Sequence, residues 1–196
     1  MHRDDPRAIR SRVALVSAIT DLLETREASE ISITDVVGAA GVSRPTFYQH
    51  FTDLPDLVAV AAITGLEASF ARSDARFAGV AGVPFLRGSV EMLVDELYAR
   101  RTFYRQTLQG ASSRAVSASA IRYVEKRMRD HVVGTHLGTA ADIDDQFMAI
   151  AAGATWLIIS WLGSDFEGRN APPEMTRRLT GLVAALTGIP GEDAGA

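Results

Sequence analysis

Arg44, Thr46, Tyr48, Gln49 and His50 crowd into one short stretch, and each side chain carries a hydrogen-bond donor. A guanidinium at Arg44 can donate two hydrogen bonds to guanine O6 and N7, and the Gln49 amide can pair with adenine N6 and N7. Thr46 offers a hydroxyl, and a methyl that fits against thymine. A phosphate contact and plain solvent exposure are the simpler alternatives for Arg44. At helical spacing these residues lie opposite Phe47 and Phe51, which stand four apart and pack inward. A short helix with an apolar back and a front of donors suits the DNA major groove.

The flanking residues supply the elements that must present this face. Ser32 is placed to cap a helix, with Asp35 three residues on, at capping-box spacing. Ile33, Val36, Val37 and Ala40 then recur at helical spacing. Gly41 ends that helix, because glycine takes the left-handed conformation without a Cβ penalty. Ser43 caps the next helix, and Pro45 is tolerated in its first turn, where no N–H is needed. The whole of Ser32 to Phe51 thus reads as a helix-turn-helix. Thr34, just inside the first of these helices, is a phosphate or base contact. Ser32 and Ser43 are caps first and phosphate ligands second, through the N–H groups beside them.

From Ile31 to Leu57 the sequence also resembles the DNA-binding domain of the TetR family of bacterial transcriptional regulators. The AAGVS turn, the PTFY start and the Phe47-Tyr48-Gln49-His50-Phe51 run carry the resemblance, in order and at fixed spacing. Beyond Val60 it is one of layout. The resemblance implies that Tyr48 and His50 bind phosphate, contacts that fix register rather than sequence. Thr34, Ser43, Arg44, Pro45, Thr46, Tyr48, Gln49 and His50 then form the DNA-facing set. It also implies a homodimer on double-stranded operator DNA, and a fourth helix that transmits the binding of a small-molecule effector; the cytoplasm is the compartment expected from the lack of a signal peptide or membrane span. Repression relieved by ligand is the family's usual mode; activation is the alternative. One position departs from the pattern: Leu54 stands where many members carry a phosphate-gripping Lys. That predicts a salt dependence shallower by about one counterion.

Composition bounds the remainder. The chain has 196 residues, 47% of them hydrophobic and 22% charged, which fits an ordinary folded protein with a sizeable core. It has no Cys, which excludes disulfide and thiolate chemistry. Net charge is -4, mildly against nucleic-acid binding, although binding depends on local charge. Met1–Arg10 lacks the apolar run of a signal peptide. The uncharged run from Phe147 to Ser164 approaches transmembrane length, but Gly153, Thr155, Ser160 and Gly163 dilute it. A buried interface helix is expected there and no membrane span.

Taken in order, the pattern predicts an all-α protein of about nine helices: a three-helix DNA-binding domain over residues 1–52 and a helical ligand-binding and dimerisation domain over 53–196. Ile9, Val13, Val16, Ile19 and Leu23 form an apolar stripe on the first helix. The fourth begins after Asp53, its N-cap, and carries Gly65, read as close packing rather than a bend. In the C-terminal half Phe70, Phe77, Met92, Leu93, Leu97, Phe103, Tyr104, Leu108, Tyr123, Phe147, Met148 and Trp156 are candidate pocket residues for a lipophilic or aromatic effector. Ala154, Ile158 and Trp161 on the eighth helix and Leu179, Leu182 and Leu186 on the ninth form apolar seams suited to a four-helix dimer interface.

An enzyme is the rival class, and little supports it. There is no nucleophile elbow, Walker loop or dinucleotide fingerprint, so no cofactor is expected. His131 and His136 are five apart and share no helix face, and Asp142, Asp144 and Asp145 sit where a helix start favours acids, so no metal site is expected. A ligand-binding dimer whose head has lost DNA binding is the second alternative.

Overall fold

Short polar caps and apolar spacing divide the chain into helices much as its sequence suggests. The computed structural model describes residues 5–131 and 140–188. Among them nine α-helices and no strand occur: α1 (Pro6–Thr25), α2 (Ile33–Ala40), α3 (Arg44–His50), α4 (Leu54–Arg76), α5 (Gly82–Ala99), α6 (Arg101–Thr107), α7 (Ser112–His131), α8 (Ala140–Leu162) and α9 (Pro172–Thr187). The spacing of Ile121, Val124, Met128 and Val132 predicts a seventh helix running to about His136 and a loop after it, and that end falls outside the described residues.

The helices form two compact units. The first comprises the described residues up to Gly65 together with Arg100–Ser119. The second comprises Leu66–Ala99 and the described residues from Ala120 onward. This differs from a division at residue 52, because the first unit also takes half of α4, all of α6 and the start of α7.

Specific contacts explain why α6 joins the first unit. Phe103 and Thr107 are fully buried there. Arg100 Nε and Nη2 both donate to Glu24 Oε1 on α1, each at 3.1 Å. Gln106 Oε1 accepts from the Ala28 N–H at 3.0 Å. The unit's core lies between α1, α2 and α3, where Leu15, Ile19, Leu23, Val36 and Phe47 are fully buried.

One stripe on α1 departs from expectation. Ile19 and Leu23 are buried, but Ile9 and Val13 are not; Val13 is 61% exposed. The inward side of the first turns runs through Ala8, Ser11 and Leu15 instead. Apolar periodicity passes over this side because a serine occupies it.

In the second unit α5 and α9 pack along one another and α8 packs on α9. Leu93, Val94 and Leu97 of α5, Phe147 and Ile150 of α8 and Met175 of α9 are buried there. Two helical stretches, Leu54–Arg76 and Ile143–Leu162, are long and apolar enough to cross a membrane by composition. Both put large side chains into these cores, Leu57 and Phe70 from the one and Phe147, Trp161 and Leu162 from the other.

Two helical glycines mark close approaches. A Cβ at Gly65 would lie 2.5 Å from Tyr104 Oη, so close packing is the role of this residue. At Gly88 a Cβ would meet three atoms of the Phe77 ring at 2.3–2.8 Å. In an open helix Gly→Ala stabilises by up to about 1 kcal/mol, whereas overpacking costs about 1–3 kcal/mol. Gly88→Ala is therefore expected to lower unfolding free energy by about 1–2 kcal/mol in urea denaturation. A more stable variant would show that Phe77 yields freely.

Candidate nucleic-acid interface and ligand cavity

The motif is built from its caps outward. Ser32 Oγ accepts from the Asp35 N–H at 3.2 Å, and Asp35 Oδ2 accepts from the Ser32 N–H at 2.8 Å, so the capping box is complete. The Ser32 hydroxyl also donates to Asp35. Arg26 stands 3.2 Å from the same carboxylate. Those hydrogen bonds from Ser32, helped by Arg26, hold the Asp35 carboxyl at about 2. Gly41 closes α2 in the left-handed conformation at φ 65°. Ser43 Oγ then accepts from the Thr46 N–H at 3.3 Å and caps α3.

α3 presents its two faces as its pattern demands. Phe47 and Phe51 are buried, with ring centroids 5.8 Å apart. Ser43, Arg44, Pro45, Tyr48 and Gln49 are exposed, as is Thr34 on α2; Thr46 is half-buried, its hydroxyl 2.8 Å from that of Ser43. Tyr48 packs edge-on to Phe47 at 5.3 Å, which steadies the ring while leaving it exposed. An Arg, a phenol and an amide on one exposed face can meet base edges and phosphates together.

His50 is held differently from the rest. Its Nε2 lies 2.8 Å from Ser11 Oγ, and Ser11 Oγ donates to the Ala8 carbonyl at 3.0 Å. Where the Ser11 hydroxyl keeps its bond to Ala8, Nε2–H is the donor to Ser11 and Nδ1 is the acceptor of the neutral ring. Burial, and then the charge of Arg12, lower the His50 pKa below its ordinary value. The Nε2 edge of the His50 ring is thus directed at α1. Ser11 and Arg12, which sequence patterning does not single out, hold the end of α3: Arg12 also lies over the Phe51 ring at 5.0 Å. Their signal is a serine on the inward side of α1 with an exposed arginine beside it.

Past the motif, Asp53 Oδ1 accepts from the Asp56 N–H at 2.8 Å and Asp56 Oδ2 accepts from the Thr52 N–H at 3.0 Å. Both acids thus serve the start of α4, with half-buried Leu54 between them.

The second unit contains a cavity of about 150 Å³. Phe70 of α4, Leu86 and Leu93 of α5, Met128 of α7 and Val183 of α9 contribute apolar wall. Ser89, Thr155 and Arg127 are its polar lining. Arg127 donates to both carboxylate oxygens of Asp74, at 3.0 and 2.5 Å, and lies 4.1 Å over the Phe70 ring.

Of the expected pocket residues, Phe70 and Leu93 border this cavity. Phe77, Met92 and Leu108 are half-buried away from it, Met148 is exposed and Leu97 is core. Phe103 and Tyr104 are buried in the first unit, edge-on at 4.9 Å. Tyr123 does not border the cavity; its ring lies tilted against that of Phe70, centroids 5.9 Å apart, and burial raises its pKa. Phe147 packs with Met128 and Ile150, while Trp156 is 68% exposed. Large aromatic rings fill space here, and the space left open is lined mainly by aliphatic side chains.

The expected dimer seam divides in the same way. Ala154, Ile158 and Leu179 face the cavity. Trp161 is buried and donates its Nε1–H to the Asn170 carbonyl at 2.6 Å. Leu182 is half-buried and Leu186 exposed. The outward stripe of α8 runs instead through Ala149, Gly153, Trp156 and Ser160. The side chains of His131, His136 and Asp142 lie outside the described residues; Asp144 pairs with Arg129 at 3.0 Å and Asp145 is exposed.

The Asp35 carboxyl provides a check on the motif. Its folded pKa lies below its unfolded one, so the stability it contributes is complete above pH 4 and disappears as pH falls towards 2. The stability gap between wild type and Asp35→Asn should therefore be widest above pH 4 and close on acidification. Ser32→Ala should move the Asp35 carboxyl upward in an NMR titration. An unchanged titration would remove the hydroxyl as the cause.

No family model matches the chain, and no curated protein matches it. Solved structures do. The chain is similar to the TetR family repressor AlkX from Dietzia sp. strain DQ12-45-1b, implicated in biodegradation of n-alkanes, at 19% identity and a TM-score of 0.61 over 96% of this chain and 98% of that one. It is similar to the dihydroxyacetone kinase operon activator DhaS at 15% identity and a TM-score of 0.58, over 93% and 99%. It is also similar to the fatty acid degradation regulator FadR from Bacillus halodurans at 12% identity and a TM-score of 0.56, over 95% and 97%. The matches run nearly end to end in both partners, and the chain has the fold of the TetR-family transcriptional regulators.

Proposed function

We propose that this chain is a ligand-responsive transcriptional regulator that binds palindromic operator DNA as a homodimer in the cytoplasm, most simply as a repressor released by its effector. The observation that carries the reading is the two-faced α3. Phe47 and Phe51 fix its back in the core while Arg44, Tyr48 and Gln49 stand exposed on its front. A protein using this helix only as structure has no need to leave an arginine, a phenol and an amide on one open face. Arg44 reads a base edge, Tyr48 donates to phosphate and Gln49 reads a neighbouring base. His50 positions the end of α3 through Ser11 at neutral pH.

Dimerisation follows the outward stripe of α8, where Gly153 and Trp156 face solvent, together with Gly181 and Ala185 on α9. Exposed small residues let two helices approach, and an exposed tryptophan is a common anchor of interfaces. The cavity of the second unit holds the effector. The effector changes operator affinity only by its differential affinity for the DNA-binding and released forms. An activator of the same fold is compatible with every one of these contacts.

A second reading, a ligand-binding dimer with weak DNA affinity, is favoured by one feature. Leu54 supplies no phosphate contact, and Asp53 and Asp56 flank it. Salt-dependent DNA binding separates the two readings.

On its operator, Arg44→Ala should cost about 1–3 kcal/mol and flatten the preference among base variants, as expected for loss of a bidentate base contact. Tyr48→Phe should weaken binding to all sequences alike. Leu54→Lys should steepen the salt dependence by about one counterion per head. Loss of affinity in Arg44→Ala with sequence preference intact would reassign Arg44 to phosphate. Trp156→Glu should convert the dimer to monomer in sedimentation velocity; a dimer of unchanged stability would place the interface elsewhere.

A further inference from the structure

The cavity carries one feature that the shape of an effector pocket does not require, a cation in an apolar wall. Arg127 borders the cavity with its side chain only 13% exposed. Its planar guanidinium lies on the Phe70 ring at 4.1 Å and holds Asp74 by a two-oxygen fork. The two members of the pair differ in their access to water. The Asp74 side chain is 38% exposed, so it can return to solvent at little cost, whereas the guanidinium cannot leave the wall. An anion entering the cavity finds an oriented fork whose present partner is replaceable.

We propose that the cavity takes a compact, mainly apolar molecule bearing a carboxylate, and that this carboxylate binds Arg127 in exchange for Asp74. The proposal rests on the reading of this cavity as the effector site and names its chemical class. Size sets the first limit. A dry apolar cavity of about 150 Å³ accommodates a single benzene ring, so the apolar part is one ring or a branched chain of similar bulk. Ser89 and Thr155 border the same space and can supply further hydrogen bonds. Ser89 is already linked to buried Ser73 at 2.6 Å, which orients its hydroxyl. A cationic ligand would meet Arg127 and be repelled. A neutral hydrocarbon would leave the Arg127–Asp74 pair intact and gain nothing from it.

The exchange has a structural consequence within the same unit. Asp74 belongs to α4 and Arg127 to α7, so the ion pair ties these two helices together. A ligand carboxylate on Arg127 takes one end of that tie away. Binding and release of the α4–α7 tie are then one event, and the competing carboxylate of Asp74 sets the affinity.

Calorimetric titration of the full-length protein with benzoate, toluene and benzylammonium tests this, because the three share a skeleton and differ in the head group. Benzoate should bind at least about tenfold more tightly than toluene, as expected for a charge-assisted fork, and benzylammonium should not bind. Asp74→Asn should tighten benzoate severalfold and leave toluene unchanged, since it removes the competitor. Arg127→Met should bring benzoate down to the level of toluene. A purely structural ion pair predicts instead that both variants lose stability and that neither alters the preference among the probes. Toluene binding as tightly as benzoate in the wild type would overturn the proposal while leaving an effector cavity in place. Binding of none of the three would overturn it as well. Failure of the regulator reading appears separately, as loss of specific DNA binding in a protein that still prefers benzoate.

Discussion

α3 is a seven-residue helix, and a helix of that length does not hold itself together in water. It persists because Phe47 and Phe51 are buried against the first unit's core and because Ser43 satisfies an amide at its start. That one constraint determines the rest of the candidate interface. With two of its side chains committed inward, the helix cannot rotate without exposing them, and Arg44, Tyr48 and Gln49 are obliged to face outward. The capping box on α2 and the left-handed Gly41 set the angle between the helices. Ser11 and Arg12 then fasten the far end from α1 through His50 and Phe51.

This part of the molecule was legible because its determinants are local. A cap, a glycine and two phenylalanines act within a few residues of where they stand in the chain. Ser11 and His50 are a different case, since their contact joins residues far apart in sequence. On α1 the same effect misleads: Ile9 and Val13 continue the apolar rhythm of the helix, yet the inward side of its first turns carries Ser11. The all-α class and the order of helices were equally plain, whereas the grouping of α6 with the first unit depends on Arg100 and Gln106 meeting distant partners.

The second unit was less legible because α8 serves two surfaces and both are apolar. Ala154 and Ile158 turn towards the cavity while Trp156 turns to solvent. Periodicity marks each stripe but does not say which one a neighbouring helix covers. The cavity itself is recorded by no residue type, since it exists where aliphatic side chains fall short of filling the space between helices. Arg127 is the exception within it, a charge that an apolar wall tolerates because Asp74 and the Phe70 ring both compensate it.

The central claim is that the exposed face of α3 reads DNA, twice, in a symmetric pair. Selection of the purified protein against a random duplex library tests it whatever the operator sequence is. The expected result is enrichment of an inverted repeat whose half-sites lie about one helical turn apart, ~34 Å from centre to centre, or a small multiple of that. A library that returns no enriched sequence, from protein that is folded and dimeric, would contradict it.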